Sequence, residues 1–267
     1  MYYKFAKFCL SFFDNLNKAK ILKFFKKKKN RTIENLIDVG AHHGESIKLF
    51  SKYFKIKKIL AFEPSEENFN VLKKKTRSYK NLKLYNIALG DYDGFTNFKQ
   101  HYDSESSTLT EINESSNYFR KKNYLLAPFG FKRKNFIIIK IKINRLDKII
   151  SEEKIENIDI LKIDTEGYDF YVIKGLGKMI QNVKILYFEH HFHNMLIKNY
   201  TLSDVHQYLI KNNFKKVIKN KMFFRKTFEY IYINKNLSHE YLNTFNTRKK
   251  RGRVPTRIFE RIKTIQL

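Results

Sequence analysis

Acidic residues stand at the ends of four predicted strands in this 267-residue chain. Asp38 closes the first apolar run, Glu63 follows the second, Asp91 lies just past the third, and Asp164 follows a later one. Doubly wound sheets bind their ligands beyond the carboxyl ends of their strands. We therefore expect these four carboxylates to face one crevice.

A glycine turn surrounds the first of these residues. Positions 37–44 read IDVGAHHG, and glycines at Gly40 and Gly44 allow the backbone to turn sharply and to pass close to a ligand. The dinucleotide pattern Gly-x-Gly-x-x-Gly is absent, and Asp38 would repel a pyrophosphate but suits the cationic amino group of a methionine moiety. An ordinary strand-to-helix turn remains the alternative.

Glu63 lies 25 positions after Asp38, the separation expected across one β-α-β unit. A carboxylate at that place accepts ribose hydroxyls, so the pair favours a nucleoside cofactor, although acidic residues after strands are often simply solvated. Asp91 is placed to approach an adenine amino group. The stretch from Gly90 to Gly94 is equally typical of turn chemistry.

Three carboxylates, Asp164, Glu166 and Asp169, lie within six residues after an apolar strand. Crowded carboxylates raise one another's proton affinity, which suits a proton acceptor or a metal ligand. Glu166 and Asp169 could instead cap the helix predicted from Tyr168 to Lys174. We predict a functional role for this segment.

A second polar cluster follows the fifth predicted strand, where Glu189 precedes His190, His191 and His193. Neutral imidazoles together with Asp164 or Glu189 would suit a divalent ion. Adjacent residues of a strand face opposite sides, however, so a divalent metal is not favoured and no metal ligand is predicted.

From Ile33 onward the chain alternates between short apolar runs and amphipathic stretches. This pattern predicts an α/β fold with a doubly wound, mostly parallel sheet, whose strands and helices position these residues. Helices are expected on both faces of that sheet. The predicted core strands are 35–39, 58–62, 82–88, 158–163 and 185–188. The first two predicted helices are 46–54 and 66–78, the second capped by Ser65.

The pattern changes between residues 94 and 143, where strands at 95–98 and 136–143 flank a polar loop at 104–117. We interpret this segment as an insertion that covers the site. The expected divisions are a basic, aromatic helical extension at 1–32, a catalytic domain at 33–235, and a basic tail at 236–267.

The chain carries 54 basic and 26 acidic residues, a net charge of +28, which points to phosphate, nucleic acid or an anionic membrane as a partner. The lysines are spread along the chain, as genome-wide codon bias would also produce. Basic runs at 26–29 and 248–253 could make peripheral contact with an anionic membrane. For the N-terminal segment 1–25, a helix that caps the core is the favoured alternative. The single Cys9 excludes an internal disulfide and indicates a reducing, cytoplasmic setting.

Taken together, the motifs resemble the FkbM family of methyltransferases. The resemblance covers residues 36–193 and is carried by IDVGA with Gly44, FEP at 62–64, ALGD at 88–91, NRLD at 144–147, LKIDTEG at 161–167, and Glu189-His190. It implies a class I fold with a seven-stranded Rossmann-like sheet, S-adenosyl-L-methionine as the donor, and a hydroxyl acceptor on a sugar, glycan or secondary metabolite. His42-His43 and Asp169 depart from the residues usual in that family.

The resemblance also implies roles for single residues. Glu63 would hold the ribose, Asp91 would lie near adenine, and the glycine turn would shape the methionine side. The expected cofactor-binding residues are Asp38, Gly40, His42, Gly44, Glu63, Asp91 and Asp164. The expected catalytic residues are His190, Asp164 and Glu166, with His190 the first candidate for accepting the hydroxyl proton and Asp164 the second, because an imidazole is well matched to pH 7.

Two other functions fit parts of the sequence. An RNA methyltransferase would use the positive charge and the abundant Phe and Tyr, and it would bind RNA with a steep salt dependence. A binding protein that retains the fold without turnover is the second alternative, against which the complete set of acidic residues argues. The oligomeric state is not predicted.

Overall fold

The computed structural model describes residues 21–26, 32–101, 106–126, 136–222 and 226–237. Outside these residues lie most of the predicted N-terminal extension, with Cys9, and nearly all of the predicted C-terminal tail. Of the two basic runs, the structure describes Lys26 alone. The divisions expected at residues 32 and 235 therefore stay predictions. None of the described helices is long and apolar enough to cross a membrane.

The secondary structure alternates strands and helices as predicted. The strands in chain order are β1 Thr32–Val39, β2 Lys55–Phe62, β3 Leu82–Tyr85, β4 Ala88–Gly90, β5 Gly94–His101, β6 Glu111–Ile112, β7 Phe136–Arg145, β8 Ile158–Ile163, β9 Val183–His191, β10 Leu196–Ile197, β11 Phe214–Lys221 and β12 Thr227–Asn234. The helices are α1 at residues 21–26, α2 Glu45–Tyr53, α3 Glu66–Lys75, α4 Asn117–Leu126, α5 Leu146–Glu152, α6 Asp169–Lys174 and α7 Leu202–Lys211. A 3₁₀ helix spans Gly177–Asn182.

Seven strands form the main sheet in the order β11-β12-β9-β8-β1-β2-β3. Its neighbouring strands are parallel except at β12, which runs antiparallel to both β9 and β11. The predicted α/β architecture is thus confirmed. Between β1 and β8 the strand order reverses direction, and such a switch point is where open α/β sheets bind ligands.

Apolar layers cover both faces of this sheet. In β1, Ile37 and Val39 join one buried cluster, which also receives Val172 of α6, whereas Leu36 joins a second cluster with Phe50 of α2. Alternate side chains of a strand point to opposite faces, so a strand that is covered twice must be apolar throughout. This explains why the core strands read as continuous apolar runs.

The predicted strand at 82–88 is two strands in two sheets. The chain leaves the main sheet after Tyr85, and the Asn86 side-chain amide donates hydrogen bonds to the carbonyl oxygens of Glu63 at 2.8 Å and Pro64 at 3.2 Å. The following β4 joins a separate three-stranded sheet in the order β4-β7-β5. The prediction of one continuous strand was wrong because a side-chain hydrogen bond ends the first part.

The segment between residues 94 and 143 packs against the edge of the predicted site. β5 and β7 pair antiparallel, and β6 pairs with β10 just after β9. The Thr108 hydroxyl donates to the Glu166 carbonyl oxygen at 2.7 Å. Phe119 of α4 packs with Met195 and Leu196. These contacts attach the insertion to the segments that follow β8 and β9.

Candidate active site

A cavity of about 500 Å³ opens at the carboxyl ends of β1, β2 and β8, and its size lies in the usual range for small-molecule sites. Five predicted site residues line it: Gly40, His42, Glu63, Asp164 and Glu166. Further lining comes from residues 87–89 after β3, from Ser107 and Leu109 of the insertion, and from Lys162, Tyr187, Glu189 and Met222. The structure therefore gathers most of the predicted set at the switch point.

The backbone of the glycine turn after β1 packs directly against the backbone at the ends of β2 and β8. The amides of Gly40 and Ala41 donate to the Phe62 carbonyl oxygen at 3.0 and 2.9 Å. Gly40 has a φ of 75°, and a Cβ atom there would overlap the carbonyl oxygen of Asp164. Gly44, with a φ of 89°, begins α2 and does not line the cavity. Glycine at position 40 thus lets the ends of β1 and β8 meet.

Substituting Gly40 and Gly44 separately by alanine tests this close approach. Both variants incur the left-handed penalty of about 1–2 kcal/mol. A Cβ at position 44 meets side-chain atoms of Leu72, Thr76 and Ile47 and no backbone atom, so we expect Gly40→Ala to lose about 1–3 kcal/mol more than Gly44→Ala. Urea unfolding measures both losses. Equal losses would contradict the proposed overlap.

Glu63 is held with its carboxylate at the cavity wall and is only 4% exposed. Its two oxygens accept hydrogen bonds from the His42 amide at 2.8 Å and the Ser65 amide at 3.0 Å. Burial raises the pKa of this carboxyl, and the two hydrogen bonds oppose that rise. Each carboxylate oxygen has a further lone pair, so the group can still accept from a ligand's hydroxyls.

The predicted cap on the next helix is confirmed. The Ser65 hydroxyl oxygen accepts from the Asn68 amide at 3.3 Å, which places Ser65 at the N-cap of α3. This cap fixes the backbone that donates to Glu63. Helix α3 therefore contributes to positioning the carboxylate.

Asp38 does not face the cavity directly. It is fully buried, and its Oδ1 atom lies 3.2 Å from the ammonium nitrogen of Lys162, the residue opposite it on β8. The same Lys162 Nζ donates to the Gly40 carbonyl oxygen at 3.2 Å and lies 3.4 Å from Asp164 Oδ2. Burial raises the pKa of Asp38 despite the lysine. Asp38 thus holds the ammonium of Lys162 in place beside the cavity-lining Asp164.

Lys162 is the site residue that the sequence motifs did not single out. It lines the cavity although only 6% of its surface is exposed. Burial alone would lower its pKa, but the charges of Asp38 and Asp164 outweigh burial and raise it. The available signal was a lysine inside the apolar run LKI, because a lysine inside a covered strand requires an acidic partner.

Three carboxylates surround the end of β8 and β9. Asp164 and Glu189 line the cavity, and Glu166 Oε2 lies 3.2 Å from His191 Nε2. Burial, and then the negative charge of Asp164, raise the pKa of Glu189 well above its usual range. Glu189 therefore holds a proton under conditions in which a solvated glutamate is ionised.

The loop that carries Asp164 and Glu166 is fixed from behind by Asp169. The Asp169 carboxylate, 2% exposed, accepts from the amides of Thr165 and Gly167, both at 3.3 Å. Burial and the nearby Asp164 raise its pKa to about 7. Asp169 thus supports the loop from the first turn of α6, where the alternative considered from the sequence also places it.

The structure does not bring His190 to the cavity. Tyr187 and Glu189 line the cavity from β9, so His190, one position further along the strand, points to the other face. Its Nε2 atom lies 3.5 Å from the ammonium of Lys198, and its ring packs edge-on to that of Tyr200. Burial and Lys198 lower the His190 pKa to about 3. Its ring is neutral but does not line the cavity.

Asp91 also lies away from the cavity. Its Oδ2 atom is 3.1 Å from the ammonium of Lys174 on α6, and its carbonyl oxygen accepts from Arg145. Residues 87–89 line the cavity in its place, together with Phe62 and Phe98. The cavity beside Glu63 is therefore bounded by apolar side chains and backbone, and the Asp91 carboxylate does not line it.

Residues 38–216 match the family model of the methyltransferase FkbM domain. A similar solved structure is the methyltransferase FkbM from Methylobacillus flagellatus KT, with 16% identity and a TM-score of 0.51 over 76% of this chain and 44% of that chain. The present chain thus spans less than half of that protein's length. No protein of curated function matches the sequence.

Two methylases resemble the chain more weakly. The first is M. capricolum TrmK in complex with S-adenosyl-homocysteine, with 13% identity and a TM-score of 0.44 over 80% of this chain and 67% of that chain. The second is an rRNA methylase from Streptococcus thermophilus, with 10% identity and a TM-score of 0.44 over 79% of this chain and 92% of that chain.

Proposed function

This chain belongs to the FkbM methyltransferase family, and we propose that it methylates a hydroxyl oxygen of a sugar, glycan or secondary metabolite with S-adenosylmethionine as the donor. The observation that carries the proposal is the Glu63 carboxylate, which two backbone amides fix at the wall of the switch-point cavity. A carboxylate in this place accepts the hydroxyls of a ribose.

The remaining cavity residues fit the same cofactor. Phe62, Ile87 and Leu89 offer apolar surface for an adenine ring beside Glu63, and the volume of about 500 Å³ admits a nucleoside joined to an amino acid. When bound, the cofactor supplies a methyl group made electrophilic by a sulfonium centre. Asp164 lies at the end of β8, where its negative charge suits a positively charged ligand.

The acidic end of the cavity favours a neutral, hydroxyl-rich acceptor. Asp164, Glu166 and Glu189 all line it. Carboxyl groups hydrogen-bond well to hydroxyls, and the ionised ones among them repel phosphates. The local charge therefore opposes an RNA acceptor even though the whole chain carries a net charge of +28. Sugar and polyol hydroxyls match this surface best.

Asp164 is the residue that accepts the hydroxyl proton in this proposal. Its side chain lines the cavity and is 31% exposed, and Lys162 Nζ, 3.4 Å away, orients its Oδ2 atom. Glu189, whose pKa is raised, donates a hydrogen bond from its protonated carboxyl and so orients the acceptor oxygen. Holding the two reacting groups in line supplies on the order of 7–11 kcal/mol toward the barrier.

Glu63→Gln tests the cofactor assignment. One carboxylate oxygen becomes an amide donor and the charge is lost, so we expect the dissociation constant of S-adenosylhomocysteine to rise roughly 10- to 150-fold, which corresponds to about 1.5–3 kcal/mol. Isothermal titration calorimetry measures it. Glu66→Gln, at an exposed position of α3 outside the cavity, is the matched control and should bind like the wild type. A wild-type protein that binds no S-adenosylhomocysteine would refute the proposal.

The acceptor class is tested by transfer of a radiolabelled methyl group. Free sugars, lipid-linked glycans and RNA are offered separately to the wild-type protein. Label in a carbohydrate hydroxyl supports the proposal. Label in RNA alone, with binding that weakens steeply as salt rises, would replace it with the RNA methyltransferase.

A further inference from the structure

The doubled histidine of the glycine turn forms a cluster that the proposed methyl transfer does not use. His42 Nδ1 lies 3.5 Å from Glu45 Oε2, and His43 Nδ1 lies 3.9 Å from Glu45 Oε1. One potential ligand atom from each of the three residues falls within 4.8 Å of the others. Among the described residues, this is the one group of three or more histidine, cysteine or acidic side chains with ligand atoms this close together.

The backbone of the turn explains how two adjacent histidines share one side. In a strand they would face opposite ways, which is why the histidines after the fifth predicted strand did not favour a metal. His42 instead has a φ of 46°, in the left-handed region. As a result, the His42 and His43 rings stack with their centroids 3.7 Å apart and 25° between their planes.

We propose that His42, His43 and Glu45 bind a divalent transition-metal ion of the zinc class at the lip of the cofactor cavity. Zinc–nitrogen bonds of about 2.0–2.1 Å place tetrahedral ligand atoms roughly 3.4 Å apart. The two imidazole nitrogens lie 3.5 and 3.9 Å from different oxygens of Glu45, and one ligand atom from each residue falls within 4.8 Å of the others, so a bound ion would draw the three atoms closer together. Two imidazoles and one carboxylate are a common protein ligand set for zinc and leave a fourth position open.

A neighbouring side chain supports the ligand set. The buried Asn68 side chain interacts with the His43 ring, and neighbouring polar groups commonly fix the orientation of metal-binding histidines. His43 also donates its backbone amide to Glu45 Oε2 at 3.2 Å, which draws the carboxylate toward the two rings. The three ligands are thus partly oriented before an ion arrives.

The proposed ion would act on the cofactor, a consequence that rests on the proposed function. His42 and Glu45 line the cavity, whereas His43 does not. With neutral imidazoles, the charge of the cluster changes from −1 to +1 when a divalent ion binds. Because S-adenosylmethionine carries a positive sulfonium, the occupied site lowers its affinity.

Direct titration with Zn²⁺ tests the site. Untagged full-length protein is titrated by calorimetry, and Co²⁺ is used as a second probe because its visible spectrum reports tetrahedral nitrogen and oxygen ligation. We expect one site in the wild type, weakened by at least about tenfold in His43→Ala and in Glu45→Gln. His206→Ala, a histidine of α7 outside the cluster, should bind as the wild type does. A His43→Ala variant with unchanged affinity overturns the proposal, and so does a wild type without a Zn²⁺ site.

The coupling is tested by titrating S-adenosylmethionine with and without saturating Zn²⁺. We expect Zn²⁺ to raise the dissociation constant in the wild type and to leave it unchanged in His43→Ala, whose substitution lies outside the cavity lining. An equal effect in both proteins would arise from Zn²⁺ binding to the free cofactor and would overturn the coupling. The direct Zn²⁺ titration does not need the cofactor, so failure of the site and failure of the proposed function are distinguishable.

Discussion

Replacing Lys162 by methionine is expected to lower the free energy of unfolding by about 3–5 kcal/mol, because removing one partner of a buried ion pair leaves the other charge unpaired. Asp38 is fully buried, and Lys162 Nζ lies 3.2 Å from its Oδ1 atom. Methionine keeps most of the length of the side chain and removes its charge. The loss is measured by urea unfolding followed by circular dichroism.

The double variant Asp38→Asn with Lys162→Met is the matched control. It removes both charges, and replacing a whole buried pair by neutral groups is often close to neutral, so we expect much of the loss to be recovered. Burial already raises the pKa of Asp38, and losing the lysine raises it further. An acid with a raised pKa in the folded state costs stability when it is ionised. The deficit of the single variant should therefore shrink as the pH falls through that raised pKa, and a deficit that is the same at every pH would contradict the unpaired charge.

The sequence predicted well those site residues that directly follow covered strands. Glu63 and Asp164 come immediately after β2 and β8, whose ends are buried on both faces, and parallel strands bring their carboxyl ends to one edge. The position of each side chain then follows from the sheet, whatever the exact turn. Both residues line the cavity as expected.

His190 shows why the same reasoning failed one strand further. The predicted strand ends at Phe188, which would place His190 in a loop at the rim, but β9 continues to His191. Inside a strand, a shift of one position moves a side chain to the opposite face. Glu189 therefore lines the cavity and His190 does not. Because residues 189–191 (EHH) are all polar, no alternation of apolar and polar side chains shows which of them faces the cavity.

Asp91 and Lys162 needed tertiary information of another kind. Asp91 was assigned by continuing the third strand, whereas the hydrogen bonds of Asn86 redirect the chain into a second sheet, where Lys174 pairs with Asp91. Lys162 acquires its role from the register that sets it opposite Asp38. The local sequence around Asp91 does not show that the chain enters a second sheet, and the local sequence around Lys162 does not show that it pairs with Asp38.

Asp164→Asn is expected to slow methyl transfer by roughly 10²- to 10⁴-fold, the usual contribution of a positioned proton acceptor. The amide nearly preserves the shape of the side chain but cannot take the proton. Binding of S-adenosylhomocysteine, which lacks the sulfonium charge, should stay near wild type, while S-adenosylmethionine should bind more weakly. Turnover is measured with the acceptor that takes up label in the methyl-transfer assay, and binding by calorimetry.

His190→Ala provides the contrast that decides between the two candidates. Its ring packs against Tyr200 and Phe192 and does not line the cavity, so we expect turnover close to wild type once the variant is shown to be folded. Slow turnover in His190→Ala together with normal turnover in Asp164→Asn would return the role of base to the histidine. Turnover of both variants is compared at saturating S-adenosylmethionine, so that a lower rate reports on the chemical step and not on weaker binding of the cofactor.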